Sequence, residues 1–301
     1  MSPLGVAGMV LLCALWGGNS VAIKAAVPAL PPFGCSGLRF LISLPILAAV
    51  CRAVGQPWKV ARPLWWLLGL HAFFSVVQVG SFTLGTSLGQ AGRSSVFINV
   101  HPLIVAPLAW AVLGEHLGGR GWLGLGSAAA GVFVLLAGSL QPGGSLVGDL
   151  IVLGSAAIFG VQTIAQKLTF PRIPPSTLLL HQTVLAIPVF LAYSLVFEGV
   201  SAYHFTRESL AGLAFQGWAV SGIAFTTWML LLRLYPAGQL ATFAFLTPLF
   251  GVAFGHLIRA EPLSTPLIVG GGLVGLGIYL AASGESRPVP ATPVPTATTV
   301  E

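Results

Sequence analysis

The chain contains one apolar unit twice. ALWGGNSVAIK at 14–24 returns as AIFGVQTIAQK at 157–167, a shift of 143 that pairs Ala14 with Ala157, Gly17 with Gly160, Asn19 with Gln162 and Lys24 with Lys167. The same shift pairs Pro31 and Pro32 with Pro174 and Pro175, and Pro45 with Pro188. Further on, AGRSSVFINVHPL at 91–103 meets AGQLATFAFLTPL at 237–249 at a shift of 146. That shift also pairs Glu115 with Glu261, and Gly124, Gly126, Gly131 and Gly138 with Gly270, Gly272, Gly277 and Gly284. Residues 1–141 and 142–284 therefore read as two copies of one unit. In a very apolar chain, such a duplication implies a membrane carrier whose site lies between the repeats.

Only 7% of the residues are charged and 55% are hydrophobic, with a mean hydropathy of +0.92. Soluble domains average about 25% charged residues, so the solvent over most of this surface is lipid. The apolar runs are too long for strands and do not alternate, which excludes a β-barrel and leaves helices. The first segment lacks a basic leader region and a clear cleavage site, and reads as a retained helix. Cys13, Cys35 and Cys51 are odd in number and have no metal spacing. Neither a disulfide framework nor a metal is expected, and no cofactor. The formal charge of +6 is spread over loops and reflects membrane orientation rather than nucleic-acid binding.

Each half resolves into five apolar stretches of about 20 residues, the length that spans a bilayer core. They fall near 5–27, 34–53, 63–85, 91–113 and 120–139, then 147–167, 176–197, 209–232, 237–258 and 264–283. The Pro/Thr-rich stretch from Glu285 to Glu301 has nothing to bury and reads as a disordered tail. With the N-terminus inside, the cytoplasmic segments hold Arg52, Lys59, Arg62, Arg120, Lys167, Arg172, Arg233 and Arg287. The outer side then holds Lys24, Arg93, Arg207 and Arg259. The basic excess favours cytoplasmic termini. An odd number of helices per unit then inverts the second copy, giving an all-α membrane protein of ten helices in two inverted five-helix repeats.

The motif order carries a resemblance. A small-Trp-Gly-x-Asn/Ser-x-x-x-x-Lys stretch lies in the first helix, and Arg39 and Phe40 form an Arg-Phe pair in the second. The fourth helix has a central proline and ends in LGEHL at 113–117, with RAE at 259–261 as the looser second copy. Over residues 5–284 the chain resembles the EamA family of the drug/metabolite transporter superfamily. In length and layout it is similar to amino-acid exporters of the YddG type. The resemblance implies alternating-access export of amino-acid-like solutes across a bacterial cytoplasmic membrane; whether the carrier is a monomer or a homodimer is left open by the sequence. It also implies a cavity lined by helices 1, 3, 4, 6, 8 and 9.

Helical spacing picks the residues that face such a cavity. Leu12, Trp16, Asn19 and Ile23 share a face of the first helix, and the mates of the last three are Phe159, Gln162 and Gln166. An aromatic followed three residues later by an amide thus recurs in both halves. An unpaired amide inside a membrane is costly, so Asn19 and Gln162 must bond to other helices, water or solute. The third helix aligns His71, Ser75, Gln78 and Phe82, whose mates are Gly217, Ser221, Ala224 and Trp228. The fourth adds Ser95, Asn99 and Pro102 on one face and His101 beside it, with Phe245 and Thr247 as mates of Asn99 and His101. The first half supplies hydrogen-bonding groups, and the second supplies aromatic area from Phe159, Trp218, Trp228, Phe243 and Phe245. Such a pairing suits a zwitterion or amide with an apolar side chain, although each of these groups can equally be helix–helix glue.

Pro102 and Pro248 interrupt helices at matching positions and are read as hinges. Arg39 lies about five residues inside the second helix, shallow enough for its side chain to snorkel to the outer interface or pair with helix-end carbonyls, and is read as structural, with contact to a substrate carboxylate as the alternative. Its mate is Gln182. Lys24 and Lys167 read as interfacial anchors. Gly124, Gly126, Gly131, Gly270, Gly272 and Gly277 give the fifth and tenth helices flat faces that pack on each other or on a second subunit. An enzyme reading finds no HExxH and no paired aspartates, a channel reading finds no ring of charges, and no Walker A loop is present.

Overall fold

The computed structural model describes residues 3–113, 118–139, 145–235 and 246–283, all of them helix, turn or short connection. Helix α1 spans Pro3–Ala26 and α2 Pro32–Ala53. After a 3-10 turn at Arg62–Leu64, α3 spans Trp65–Leu88. The fourth apolar stretch is two helices, α4 at Ala91–Ile98 and α5 at His101–Leu113. Then come α6 at Gly119–Ser139, α7 at Leu146–Thr169, and α8 at Pro175–Tyr193 with a π-helical extension at Ser194–Glu198. The eighth stretch has three parts: α9 at Arg207–Ala214, a π-helical segment at Phe215–Ala224, and α10 at Phe225–Leu234. Two further helices are α11 at Leu246–Arg259 and α12 at Thr265–Ser283.

Among the described residues, eight helical segments are long and apolar enough to cross a membrane, from Pro3–Ala26 to Arg207–Leu234. The protein is thus a multi-pass, all-α integral membrane protein. The ninth expected span begins in 236–245, and residues 114–117 of the LGEHL motif, which include Glu115, the mate of Glu261, and the tail from Glu285 also lie outside the described residues.

Prolines and carboxylates set the helix starts. Pro32 and Pro175 occupy first helical positions, where a missing N–H costs nothing. Glu198 accepts the backbone N–H of Phe33 at 3.0 Å and of Gly34 at 3.1 Å, and so caps α2 from the end of the α8 extension. Glu261 does the same for α4, accepting from Ala91 at 2.7 Å and Gly92 at 2.8 Å. A carboxylate on the free N–H groups of a helix start meets both their hydrogen-bonding demand and their partial positive charge.

The packing pairs elements across the duplication. α2 lies on α8 and α6 on α12, each helix against its own repeat mate. α1 lies on α11, and its mate α7 lies on α4 and α5. α3 packs on α7, while the mate of α3 packs on α1 through α9 and the π segment. Glycine makes the closest of these contacts possible. A Cβ on Gly131 would stand 2.6 Å from the Gly270 carbonyl, and one on Gly277 would stand 2.6 Å from the Gly124 carbonyl. Of the two partners open to the glycine faces, these helices take each other. Gly126 and Gly272 face open space instead.

A buried ion pair ties the halves together. Arg93 in α4 donates to Asp149 in the first turn of α7 from Nη2 at 2.7 Å and Nε at 3.0 Å. Both side chains are fully enclosed. Arg93 is thus a cross-repeat strut rather than a loop charge.

Candidate functional site

Between the halves lies a cavity with about 490 Å³ of unfilled space, its open side included. Trp16 and Asn19 reach it from α1, Gln78 and Phe82 from α3, Asn99 and His101 from the α4–α5 junction, and Phe159 from α7. Seven of the side chains picked by helical spacing therefore converge on one space. Val220 and Phe225 add apolar wall from the eighth stretch, and Thr247 adds a hydroxyl from α11. Trp16 is the hub of the aromatic side. It stands edge-on to Phe159 at 6.0 Å between centroids and tilts against Trp228 at 5.3 Å. His101 lies against Phe159 at 4.4 Å.

The α4–α5 break explains two of the polar residues. Pro102 has no N–H, so the carbonyl of Ile98, one helical turn earlier, loses its helical donor. The imidazole of the neighbouring His101 takes that role, with Nδ1 at 3.1 Å from the Ile98 oxygen. A carbonyl only accepts, so Nδ1 carries a proton. The backbone N–H of Asn99 turns to Val96, and the Asn99 side chain donates to the freed Ser95 carbonyl at 2.7 Å. The break is thus closed by side chains that also line the cavity. Pro248, like Pro102, sits in the first turn of its helix, here α11, and the residues before Leu246 lie outside the description.

Arg39 overturns its expected position. The shallow depth suggested a side chain reaching the interface, yet Arg39 is 1% exposed and forms part of the cavity wall. Nε donates to Ser221 Oγ at 2.9 Å, and Nη1 has no hydrogen-bond partner. The reason lies in the neighbouring span. Gly217 and Gly222 of the π segment present no side chains, and α2 closes on them through the Arg39 carbonyl and the side chains of Ile42 and Ile46. That close approach packs the turn of α2 that carries Arg39 directly on the π segment.

A second pocket adjoins the first across Gln78, Val79, Phe159 and Phe225. Amides dominate it: Gln162, Gln166 and Gln182 join Ser75, Thr183 and Trp228. Gln162 Nε2 donates to Ser75 Oγ at 3.1 Å, and Gln78 Nε2 donates to Ser155 Oγ at 3.2 Å. The Oε1 atoms of Gln166 and Gln182 and the indole N–H of Trp228 are buried without partners. Spacing alone did not single out Gln166 and Gln182 as site residues, although each stood in the duplication, Gln166 as mate of Ile23 and Gln182 as mate of Arg39.

Other expected residues lie elsewhere. Ser95 faces α11, close enough that a Cβ on Gly251 would overlap it, and its Oγ donates to the Thr247 carbonyl at 3.5 Å. Trp218 is 56% exposed on the outer surface of the bundle and offers nothing to the cavity, because the π segment turns it away. Lys24 Nζ donates to the Ser87 carbonyl at 3.2 Å, and Lys167 is half-buried in the last turn of α7. Phe243 and Phe245 lie outside the described residues. Among the described residues, no group of His, Cys, Asp or Glu is arranged to hold a metal.

The sequence model of the EamA-like transporter family matches residues 3–137 and again 146–283, one match per half. The chain is 27% identical over 287 residues to a probable amino-acid metabolite efflux pump of Salmonella typhimurium, covering 91% of this chain and 93% of that protein. It is 23% identical over 283 residues to the uncharacterized transporter YoaV of Bacillus subtilis, covering 93% and 97%. A solved crystal structure superimposes with a TM-score of 0.71 over 93% of this chain and 97% of the other, at 19% identity.

Proposed function

The chain belongs to the EamA-like transporter family, and on that premise we propose that it exports neutral and aromatic amino acids or closely related metabolites by alternating access. At the coarser level it is a secondary transporter of small organic solutes across a membrane, and its activity is transport rather than catalysis. The finer reading rests on one observation: the cavity joins an aromatic wall, Trp16 and Phe159, to buried polar atoms without partners, the Trp16 indole N–H and Asn19 Oδ1. A solute with an apolar side chain and a polar head satisfies both surfaces at once. The names of the Salmonella typhimurium and Escherichia coli relatives, both probable amino-acid metabolite efflux pumps, support the substrate class and the direction.

The proposed architecture is ten helices in two inverted repeats, both termini cytoplasmic, in a bacterial cytoplasmic membrane. The cross-repeat packing and the two family matches support it. The break at Asn99 and Val100 then acts as a hinge, since its freed carbonyls are held by side chains that can exchange partners when the helix bends. Proteoliposomes screened for uptake of labelled amino acids, nucleobases and quaternary amines test the substrate class. Uptake of amino acids is expected. Uptake confined to the other two classes contradicts the reading.

A further inference from the structure

Every acidic side chain among the described residues already has a task elsewhere. Asp149 pairs with Arg93, Glu208 with Arg259, Glu198 caps α2 and Glu261 caps α4. Arg39, which lines the cavity, therefore stands fully buried with no described carboxylate against it, bonded to Ser221 through Nε and with Nη1 unsatisfied. An enclosed guanidinium without a counter-charge is costly, and a bound anion removes the cost. The planar fork of an arginine suits a carboxylate above all, since two N–H groups can serve both oxygens.

We propose that Arg39 is the carboxylate receptor of the cavity, so that the transported solute is recognised by an organic carboxylate rather than by a cationic group. This rests on the reading of the chain as a solute carrier and names the chemistry its site selects. Ser221 holds the guanidinium by Nε, and Nη1 is left without a partner in a side chain that lines the cavity. Asn19 Oδ1, buried and unpartnered on the same wall, is an acceptor suited to an ammonium. Trp16 and Phe159 take the side chain. The duplication adds a polarity. Gln182, the mate of Arg39, lines the second pocket, where the cavity offers amide oxygens and no cation. The two halves of the site thus differ in charge at equivalent positions, and a zwitterion has one preferred orientation between them.

The test compares matched ligands on the full-length protein in detergent. Glycine, leucine and phenylalanine are titrated against their carboxamides, with chloride as a separate arm. Thermal melting and intrinsic tryptophan fluorescence give the readouts. The acids are expected to bind at least about tenfold more tightly than the amides, because the amide loses the charge-assisted pair. Arg39→Gln is expected to abolish that preference, and Arg39→Lys to retain part of it. If Arg39→Gln does not fold, the acid–amide comparison on the native protein and on Arg39→Lys still decides. Equal binding of acids and amides, binding of neither, or a preference that survives Arg39→Gln overturns the proposal. A saturable chloride effect lost in Arg39→Gln, without any preference for acids, assigns the site to an inorganic anion and also overturns it. Counterflow of the amides at the rate of the acids leaves the carrier reading standing while removing Arg39 from recognition. Absence of counterflow for any solute, with the acid preference intact, does the reverse.

Discussion

Arg39 donates to Ser221 at 2.9 Å across the cavity wall. Ser75, the repeat mate of Ser221, accepts from Gln162 at 3.1 Å in the adjoining pocket. The duplication therefore kept a serine at equivalent places and gave each a different donor, a cation in one half and an amide in the other. This divergence leaves the two serines, at equivalent positions, with different charge environments.

The glycine-mediated contact of α6 with α12 sets a steric expectation. Gly131→Ala places a methyl 2.6 Å from the Gly270 carbonyl and 2.8 Å from the Val274 amide, and backbone cannot yield as a side chain can. A loss of about 1–3 kcal/mol is expected. Gly126→Ala, on the exposed face with nothing within 4 Å, is expected to be neutral or to stabilise by about 0.4–1 kcal/mol. Thermal melting in detergent separates the two, and equal effects contradict the close packing.

Removing one partner of the buried Arg93–Asp149 pair leaves a charge enclosed. Asp149→Asn is expected to lose about 3–5 kcal/mol of stability. Arg259→Gln, which breaks the partly exposed pair with Glu208, is expected to lose at most about 1 kcal/mol. Denaturation midpoints compared between the two variants check the ranking. A milder effect at Asp149 than at Arg259 would show that the pair is not a strut.

Sidedness has a direct chemical test. All three native cysteines are buried, so a cysteine-free background is the starting point. Ser145→Cys is expected to react with an impermeant maleimide from outside intact cells, and Lys59→Cys only after permeabilisation. The opposite pattern reverses the proposed orientation.

Driving force follows from where the acids lie. Asp149, Glu198, Glu208 and Glu261 sit at helix ends or in a loop, so no described carboxylate is free within a span to bind sodium. Accumulation is expected to be insensitive to a sodium gradient, with facilitated diffusion or exchange as the basic cycle. Sodium-driven accumulation against a substrate gradient contradicts this. Steady substrate-dependent acidification or alkalinisation that is lost in His101→Ala points to proton coupling instead.

Periodicity and duplication made most of the helices legible, because a bilayer imposes length and hydropathy on every span. They also brought Trp16, Asn19, Gln78, Asn99, His101 and Phe159 onto one cavity, since helical spacing decides which side chains share a face. What they missed depends on interhelical approach. Depth along its own helix suggests an interfacial Arg39, whereas its burial also reflects the close approach of α2 to Gly217 and Gly222 on another helix. Trp218 was assigned inward, and a ten-residue π segment, which a 3.6-residue period does not describe, turned it outward. Ser95 shared the face of Asn99 in the linear reading. The break two residues before Pro102 is where the two side chains part, one to α11 and one to the cavity.

The most direct test of the account is counterflow in proteoliposomes, with Gln78→Ala, Asn99→Ala and Trp228→Ala beside the native protein. Accelerated uptake of a labelled amino acid when unlabelled solute fills the interior identifies a carrier. The account predicts that acceleration for the native protein and a marked loss in each well-folded variant. Uptake without acceleration, or acceleration unchanged in all three variants, contradicts passage through this cavity.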